Sequence, residues 1–207
     1  MNLRRLLLRA STANDDTTAA DEADGTAAWT PEAALVESAR EDPAAFAQLY
    51  DLYFARVYRY LRMRVEHESD AEDLTQHVFL QVFNSLPRYQ AQGTPFAAWL
   101  FTIAQRALAD HGQRSRRRPP PIALEAAPEM ADEQDMERDL LRRESYEQLA
   151  RLLAMLDSAD RDLLAMRFGA GLNASEIAAI FGKRPDAIRK QLSRLHHLLK
   201  EQYHVTR

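Results

Sequence analysis

Three times in its first hundred residues the chain sets a side-chain hydrogen-bond acceptor directly before a proline: Thr30-Pro31, Asp42-Pro43 and Thr94-Pro95. That pairing starts helices. The acceptor satisfies a backbone N–H that the first turn leaves orphaned, and proline's fixed φ suits the first helical position, where its missing N–H costs nothing. Ser69 with Glu72 has capping-box spacing and predicts a further start. Downstream of these points apolar residues recur every three or four positions. Phe46, Leu49, Tyr50, Tyr53, Val57 and Leu61 do so over 43–65. Leu74, Val78, Val82 and Leu86 do so over 70–86, with Phe79 and Phe83 beside them. Phe96, Trp99, Leu100, Ile103, Ala107 and Leu108 do so over 95–113. This period predicts amphipathic helices, and neither strand alternation nor an internal repeat competes with it.

The chain then breaks. Pro119-Pro120-Pro121 follows Arg114, Arg116, Arg117 and Arg118, and the stretch 119–145 carries eight acidic against three basic residues. Such a segment has too little apolar surface to fold alone and reads as a flexible acidic linker. Helical signals resume with Leu149, Leu152, Leu153 and Leu156. Asp157 or Ser158 is placed to cap the next helix, which is expected to end at Phe168 with Gly169 as its terminator. Asn173 with Glu176 at the third helical position starts a short helix, Gly182 stops it, and Pro185 opens a last helix lined by Ile188, Leu192, Leu195 and Leu199. The expected fold is all-α: two small helical domains, at 29–118 and 146–207, joined by the linker. Residues 1–28 lack apolar periodicity and are expected to be a disordered extension.

Composition narrows the function. There is no cysteine among the 207 residues, so disulfides and thiolate metal sites are excluded. No apolar run approaches the roughly 20 residues of a membrane span, and Leu6-Leu7-Leu8 is too short for a secretory signal. The cluster Glu66, His67, Glu68, Asp70, Glu72, Asp73 and His77 reads as acidic residues favoured near a helix N-terminus rather than as metal ligands. No nucleotide loop and no nucleophile–base pair is evident. A binding protein without catalysis, metal or cofactor is therefore expected, located in the cytoplasm. Although the net charge is −4, residues 146–207 hold ten basic against seven acidic groups. Basic residues crowd into 106–118 and 183–200, a distribution suited to nucleic acid.

Residues 172–199 have the plan of a helix-turn-helix: a short capped helix, a glycine turn and a longer helix. The outward face of the longer helix holds Arg184, Asp186, Ala187, Arg189, Lys190, Gln191 and Arg194. Its basic members suit phosphates, and those nearest the helix N-terminus suit base edges in a major groove. A plain helical hairpin with a solvated basic face is the alternative that spacing leaves open.

Two further blocks are more specific. Asp70-Ala71-Glu72-Asp73-Leu74-Thr75-Gln76-His77-Val78-Phe79-Leu80, followed by Thr94-Pro95-Phe96-Ala97-Ala98-Trp99-Leu100-Phe101-Thr102-Ile103-Ala104, closely resembles region two of extracytoplasmic-function sigma factors. Ser175-Glu176-Ile177-Ala178 through Arg194 resembles region four of the same family. The resemblance implies a subunit that directs RNA polymerase to promoters. It implies that Asp73, Gln76, Phe79, Gln81 and Asn84 serve docking on the clamp coiled coil of core polymerase, with region four meeting the flap. It implies that Tyr89, Gln105, Arg106, Gln113, Arg114, Arg116, Arg117 and Arg118 serve the minus-ten element, and the face from Arg184 to Arg194 the minus-thirty-five element. An anti-sigma factor that covers the polymerase-binding faces, and can hold the chain at a membrane, is implied as well. The sequence departs from the family at His77, where glutamate is usual, and at Gln105-Arg106, where Arg-Asn is usual. An autonomous helix-turn-helix regulator, or a sigma-like decoy for an anti-sigma protein, is the alternative.

Overall fold

The structure, a computed structural model, describes residues 31–90, 93–117, 152–153 and 155–205. The N-terminal extension, the whole linker and Leu149 lie outside the described residues. Helices α1 (Pro31–Ser38), α2 (Pro43–Arg62), α3 (Glu68–Ser85) and α4 (Phe96–Arg117) form the first unit. Helices α5 (Ser158–Leu164), α6 (Ala174–Phe181) and α7 (Pro185–Val205) form the second, with a π-helical turn at Ala165–Gly169 after α5.

The local chemistry sets these boundaries. Asp42 caps α2, its Oδ1 accepting from the Ala44 N–H at 2.8 Å, with Pro43 at the first helical position. Asp157 caps α5 through the Asp160 N–H at 2.7 Å. Asn173 and Glu176 close a full capping box on α6: each side chain accepts from the other's backbone N–H, both at 2.8 Å. Gly182 ends α6 in the left-handed region (φ 62°), where a Cβ is disfavoured.

Two sequence expectations are corrected. Helix α3 begins at Glu68 with His67 in the capping position and no side-chain cap bond, so Ser69 lies inside the first turn rather than before it. Gly169 does not terminate a helix with a positive φ; it closes the π-helical turn and is buried. The positive φ falls at Gly171 instead (68°). Gly169 is required for another reason: a Cβ there would lie 2.9 Å from Met63 Sδ and 3.2 Å from the Arg59 carbonyl oxygen. The second unit comes that close to α2.

The core follows the predicted stripes. Leu49, Tyr53, Val57 and Leu61 of α2 meet Leu74, Val78 and Val82 of α3 and Phe96, Leu100 and Ala107 of α4, all buried. Leu163, Met166, Leu172, Ile177, Ile188 and Leu195 fill the second unit. Burial of such side chains contributes about 1.5–3 kcal/mol each. The apolar cluster is continuous across both units. Tyr60 and Phe101 are fully buried at the junction, their rings edge to face at 5.6 Å. The units are thus docked, with α2 against the π-helical turn and α4 along α6.

Candidate polymerase and promoter interface

Three surfaces carry the residues singled out by the sequence. The first is the outer face of α3. Asp73, Gln76 and Asn84 are exposed there, and Gln81 is half-buried with its Nε2 2.8 Å from His77 Nε2. Phe79 is turned the other way. It is 5% exposed and packs under Tyr50, with ring centroids 4.5 Å apart, so its part is to set the helix on the core. Sequence reasoning missed what lies between the polar residues: Leu80 is 59% and Phe83 49% exposed. With Asp73 and Gln76 they recur at positions 73, 76, 80 and 83, one face of a helix. Phe83 rests edge to face on Phe46 at 5.0 Å, and Phe54 of α2, 5.2 Å from Tyr50 and 6.3 Å from Phe79 between ring centroids, extends the apolar surface. An exposed apolar stripe flanked by polar groups is the form of a protein-docking face. The signal for it was available, because Phe83 and Leu80 lie off the Leu74–Val78–Val82 line.

The second surface is α4 and the turn before it. Arg106, Gln113 and Arg114 are exposed and lie on one side of the helix. The side chains of Arg116 and Arg117, and Arg118 altogether, lie outside the described residues. Tyr89 is buried against Trp99 (centroids 4.7 Å) and Phe96, and its hydroxyl donates to the Thr94 carbonyl at 3.2 Å. Burial, and then the charge of Glu32, raise its pKa above the ordinary tyrosine value. Gln105 faces the second unit, its Nε2 3.5 Å from Asp162 Oδ2. The minus-ten set therefore divides into an open stripe, a buried anchor and a residue at the junction.

The third surface is α7 with the turn that leads into it. Arg184, Asp186, Ala187, Arg189, Lys190 and Arg194 are all exposed. Asp186 pairs with Arg189 one turn on. Gln191 is held: its Nε2 donates to Asp160 Oδ1 at 2.6 Å, and its Oε1 accepts from Lys183 at 3.1 Å. It braces α7 against α5 in this arrangement. Ile188 and Leu195 bury the opposite side. The helix before it is fixed by its capping box, and Glu176 of that box has its pKa raised chiefly by burial, opposed by the Asn173 N–H and by Arg56. The result is a capped, packed helix pair with an open, mainly basic face, the form that places side chains in a DNA groove.

The acidic cluster of the sequence does not converge. Asp70 approaches His111 of α4 at 3.6 Å, while His77 turns to Gln81. Among the described residues no group of three or more His, Asp or Glu side chains is arranged to hold a metal ion, and no helix is long and apolar enough to cross a membrane.

Comparison with known proteins places these surfaces in context. The family model "Sigma-70 region 2" matches residues 49–118, and "Sigma-70, region 4" matches residues 146–195. The ECF RNA polymerase sigma factor SigD of Mycobacterium tuberculosis is 31% identical over 176 residues, covering 83% of this chain and 82% of SigD. The ECF RNA polymerase sigma factor BldN of Streptomyces coelicolor is 37% identical over 161 residues, covering 75% of this chain. The match spans only 59% of BldN's length. Among solved structures, the sigma factor RpoE in complex with the anti-sigma factor NepR from Bartonella quintana is similar in fold. Its TM-score is 0.53 at 22% identity, covering 78% of this chain and 98% of that one.

Proposed function

Since the chain belongs to the extracytoplasmic-function family of RNA polymerase sigma factors, we propose that it binds core polymerase, reads two promoter elements and helps open DNA for a specific set of genes. It has no catalytic activity of its own in this reading. The observation that carries it is the joint presence of two surfaces of different character: an apolar, polar-flanked stripe on α3 and an open basic face on α7. The stripe suits a helical protein partner. The basic face suits the major groove of the upstream element, with phosphates positioning the helix and base edges specifying it.

On α4, Arg106, Gln113 and Arg114 are the residues assigned to the minus-ten element, and Tyr89 holds the turn in front of them. Opening DNA exposes unstacked bases that a basic, partly aromatic groove captures. The arginines assigned at 116–118 extend that groove in the same reading. An anti-sigma protein is the proposed second partner. It competes for the Leu80–Phe83 stripe, because a face that must stay free for polymerase is also the face whose cover silences the chain.

Runoff transcription tests the reading, with core polymerase from the source organism and a pool of its promoter fragments. New start sites that depend on the protein are expected. Absence of transcripts together with failure to co-elute with core polymerase would overturn it. Arg189→Glu with Lys190→Glu should weaken use of the upstream element, and each lost phosphate contact should lower the salt slope of DNA binding by about one.

A further inference from the structure

Helix α1 precedes residues 49–118, which the region-two model matches, so that match gives it no role. The link from α1 to α2 is fixed by backbone bonds. The Arg40 N–H donates to the Glu37 carbonyl at 3.3 Å and the Asp42 N–H to the Ser38 carbonyl at 3.0 Å, after which Asp42 caps α2. From this link the Arg40 side chain reaches the segment that joins α3 to α4. Its Nη1 donates to both carboxylate oxygens of Glu37, at 2.7 and 2.9 Å, and its Nη2 donates to the Pro87 carbonyl at 3.2 Å. Pro87 lies 47 positions away, in the short 3-10 turn Leu86–Arg88. Arg40 Nε is buried with no acceptor among the described residues. A buried donor left unsatisfied is costly, so the guanidinium sits where Glu37 and Pro87 hold it rather than where water would hydrate it best.

The other end of α1 is tied to the same segment. The Tyr53 hydroxyl of α2 donates to Glu32, in the first turn of α1. The Tyr53 ring packs edge to face on Phe96 at 5.4 Å, and Phe96 packs edge to face on Tyr89 at 5.6 Å. Tyr89 then donates to the Thr94 carbonyl. Between the two ties, Val36 and Ala39 bury α1 and its link in the core. Connecting segments are ordinarily among the more mobile parts of a fold. This one is held at Pro87, Tyr89 and Thr94, while Pro87, Arg88 and Thr94 remain exposed.

We propose that Arg40 is a positioning residue for promoter opening: oriented by Glu37, it fixes the Pro87 carbonyl and with it the backbone that leads into Tyr89, while Glu32 supplies the second tie from α1. The proposal rests on the sigma reading of this segment, which assigns Tyr89 to the minus-ten element. A surface that is already ordered captures an unstacked base without first losing conformational freedom. Arg40 therefore acts through the segment in front of α4. Its loss slows opening and leaves docking through the α3 face and upstream-element binding through α7 as they were.

The test uses the full-length protein on core polymerase and a promoter fragment that the parent opens. Arg40→Met removes the charged donors and keeps a long apolar stem. Arg40→Lys keeps a charge and a donor. Glu37→Ala removes only the exposed orienting partner. Permanganate reactivity of unpaired thymines in the minus-ten region follows opening, co-elution follows docking on core, and circular dichroism follows the fold. Arg40→Met is expected to open the promoter about tenfold more slowly, the loss of one hydrogen bond from a charged donor. Arg40→Lys should recover part of that loss, and Glu37→Ala should slow opening about twofold. Co-elution and binding to a duplex carrying the upstream element should stay at the parent's values. Opening at the parent's rate, or a loss shared equally by co-elution and upstream binding, overturns the positioning role. If Arg40→Met fails to fold, Glu37→Ala decides: slowed opening supports the role and the parent's rate overturns it. A parent that opens no promoter on core overturns the sigma reading itself, and the role of Arg40 falls with it.

Discussion

Replacing Gly169 with alanine tests how closely the two units approach. The backbone there has no positive φ, so the added methyl meets a problem of space alone. Its Cβ would lie 2.9 Å from Met63 Sδ and 3.2 Å from the Arg59 carbonyl oxygen. The sulfur is the far end of a flexible side chain that is 38% exposed, and it moves aside at little cost. The carbonyl belongs to α2 and does not move alone. Retreat of the second unit stretches the Arg59-to-Gly169 hydrogen bond, now 2.9 Å. Overpacking of this kind costs about 1–3 kcal/mol, and alanine's reduced unfolded-state entropy offsets about 0.4–1 kcal/mol. The net loss is about 1–2 kcal/mol, which for a protein of this size lowers Tm by about 2–8 °C. Thermal unfolding followed by circular dichroism measures it. Adding Met63→Ala should leave most of the loss in place, because the carbonyl carries it. A Gly169→Ala protein as stable as the parent, or full recovery on adding Met63→Ala, would refute the argument that the α2 backbone limits the approach.

Other predictions follow from the same geometry. Asn173→Ala removes one half of the α6 capping box and should cost about 1 kcal/mol, read from thermal unfolding, with weaker binding to minus-thirty-five DNA as α6 frays. His196 has its pKa lowered below 6.5, first by burial and then by His197 and Lys200. The unfolded chain therefore takes up the proton more readily than the folded one, so stability is undiminished by His196 above the unfolded value of about 6.5 and is lost as pH falls below it through the lowered folded-state value; His196→Gln should flatten this part of the stability profile in urea titrations. Leu80→Ser with Phe83→Ser should leave the protein folded, at a cost of about 0.5–1.5 kcal/mol for the lost Phe46–Phe83 contact, yet reduce co-elution with core polymerase by about tenfold or more.

Much of the architecture was legible from local chemistry. Asp42-Pro43, Asn173 with Glu176 and Gly182 mark helix ends through groups on the same few residues, and the structure uses each as read. The stripes Leu49–Tyr53–Val57–Leu61 and Leu74–Val78–Val82 are buried because a 3.6-residue period needs no knowledge of the partner, only that one exists. Ser69 misled because capping-box spacing is satisfied just as well two residues too late, where Glu68 already carries the helix. On α3 the sequence reading chose polar residues and passed over two exposed apolar ones, since periodicity assigns large apolar residues to the core, while Leu80 and Phe83 lie outside it.

What sequence alone determined, then, is whatever depends on residues within one helical turn or one helix: the all-α class, the caps, the inward stripes and the basic outward face of α7. The docking of the two units was decided only by tertiary structure. Asp162 reads as a solvated helix residue, Arg56, Arg59 and Arg64 as surface charge, and Gly169 as a helix stop. Each acquires its role from a partner about a hundred positions away in the chain, as in the Arg64–Asp162 pair (98 residues apart) and the Arg59–Gly169 bond (110 apart). A buried charge is stable only when its counter-charge and hydrogen-bond donors arrive with it. No local pattern encodes that arrival, because the groups that neutralise one another are brought together by the packing of helices whose own sequences do not mention each other.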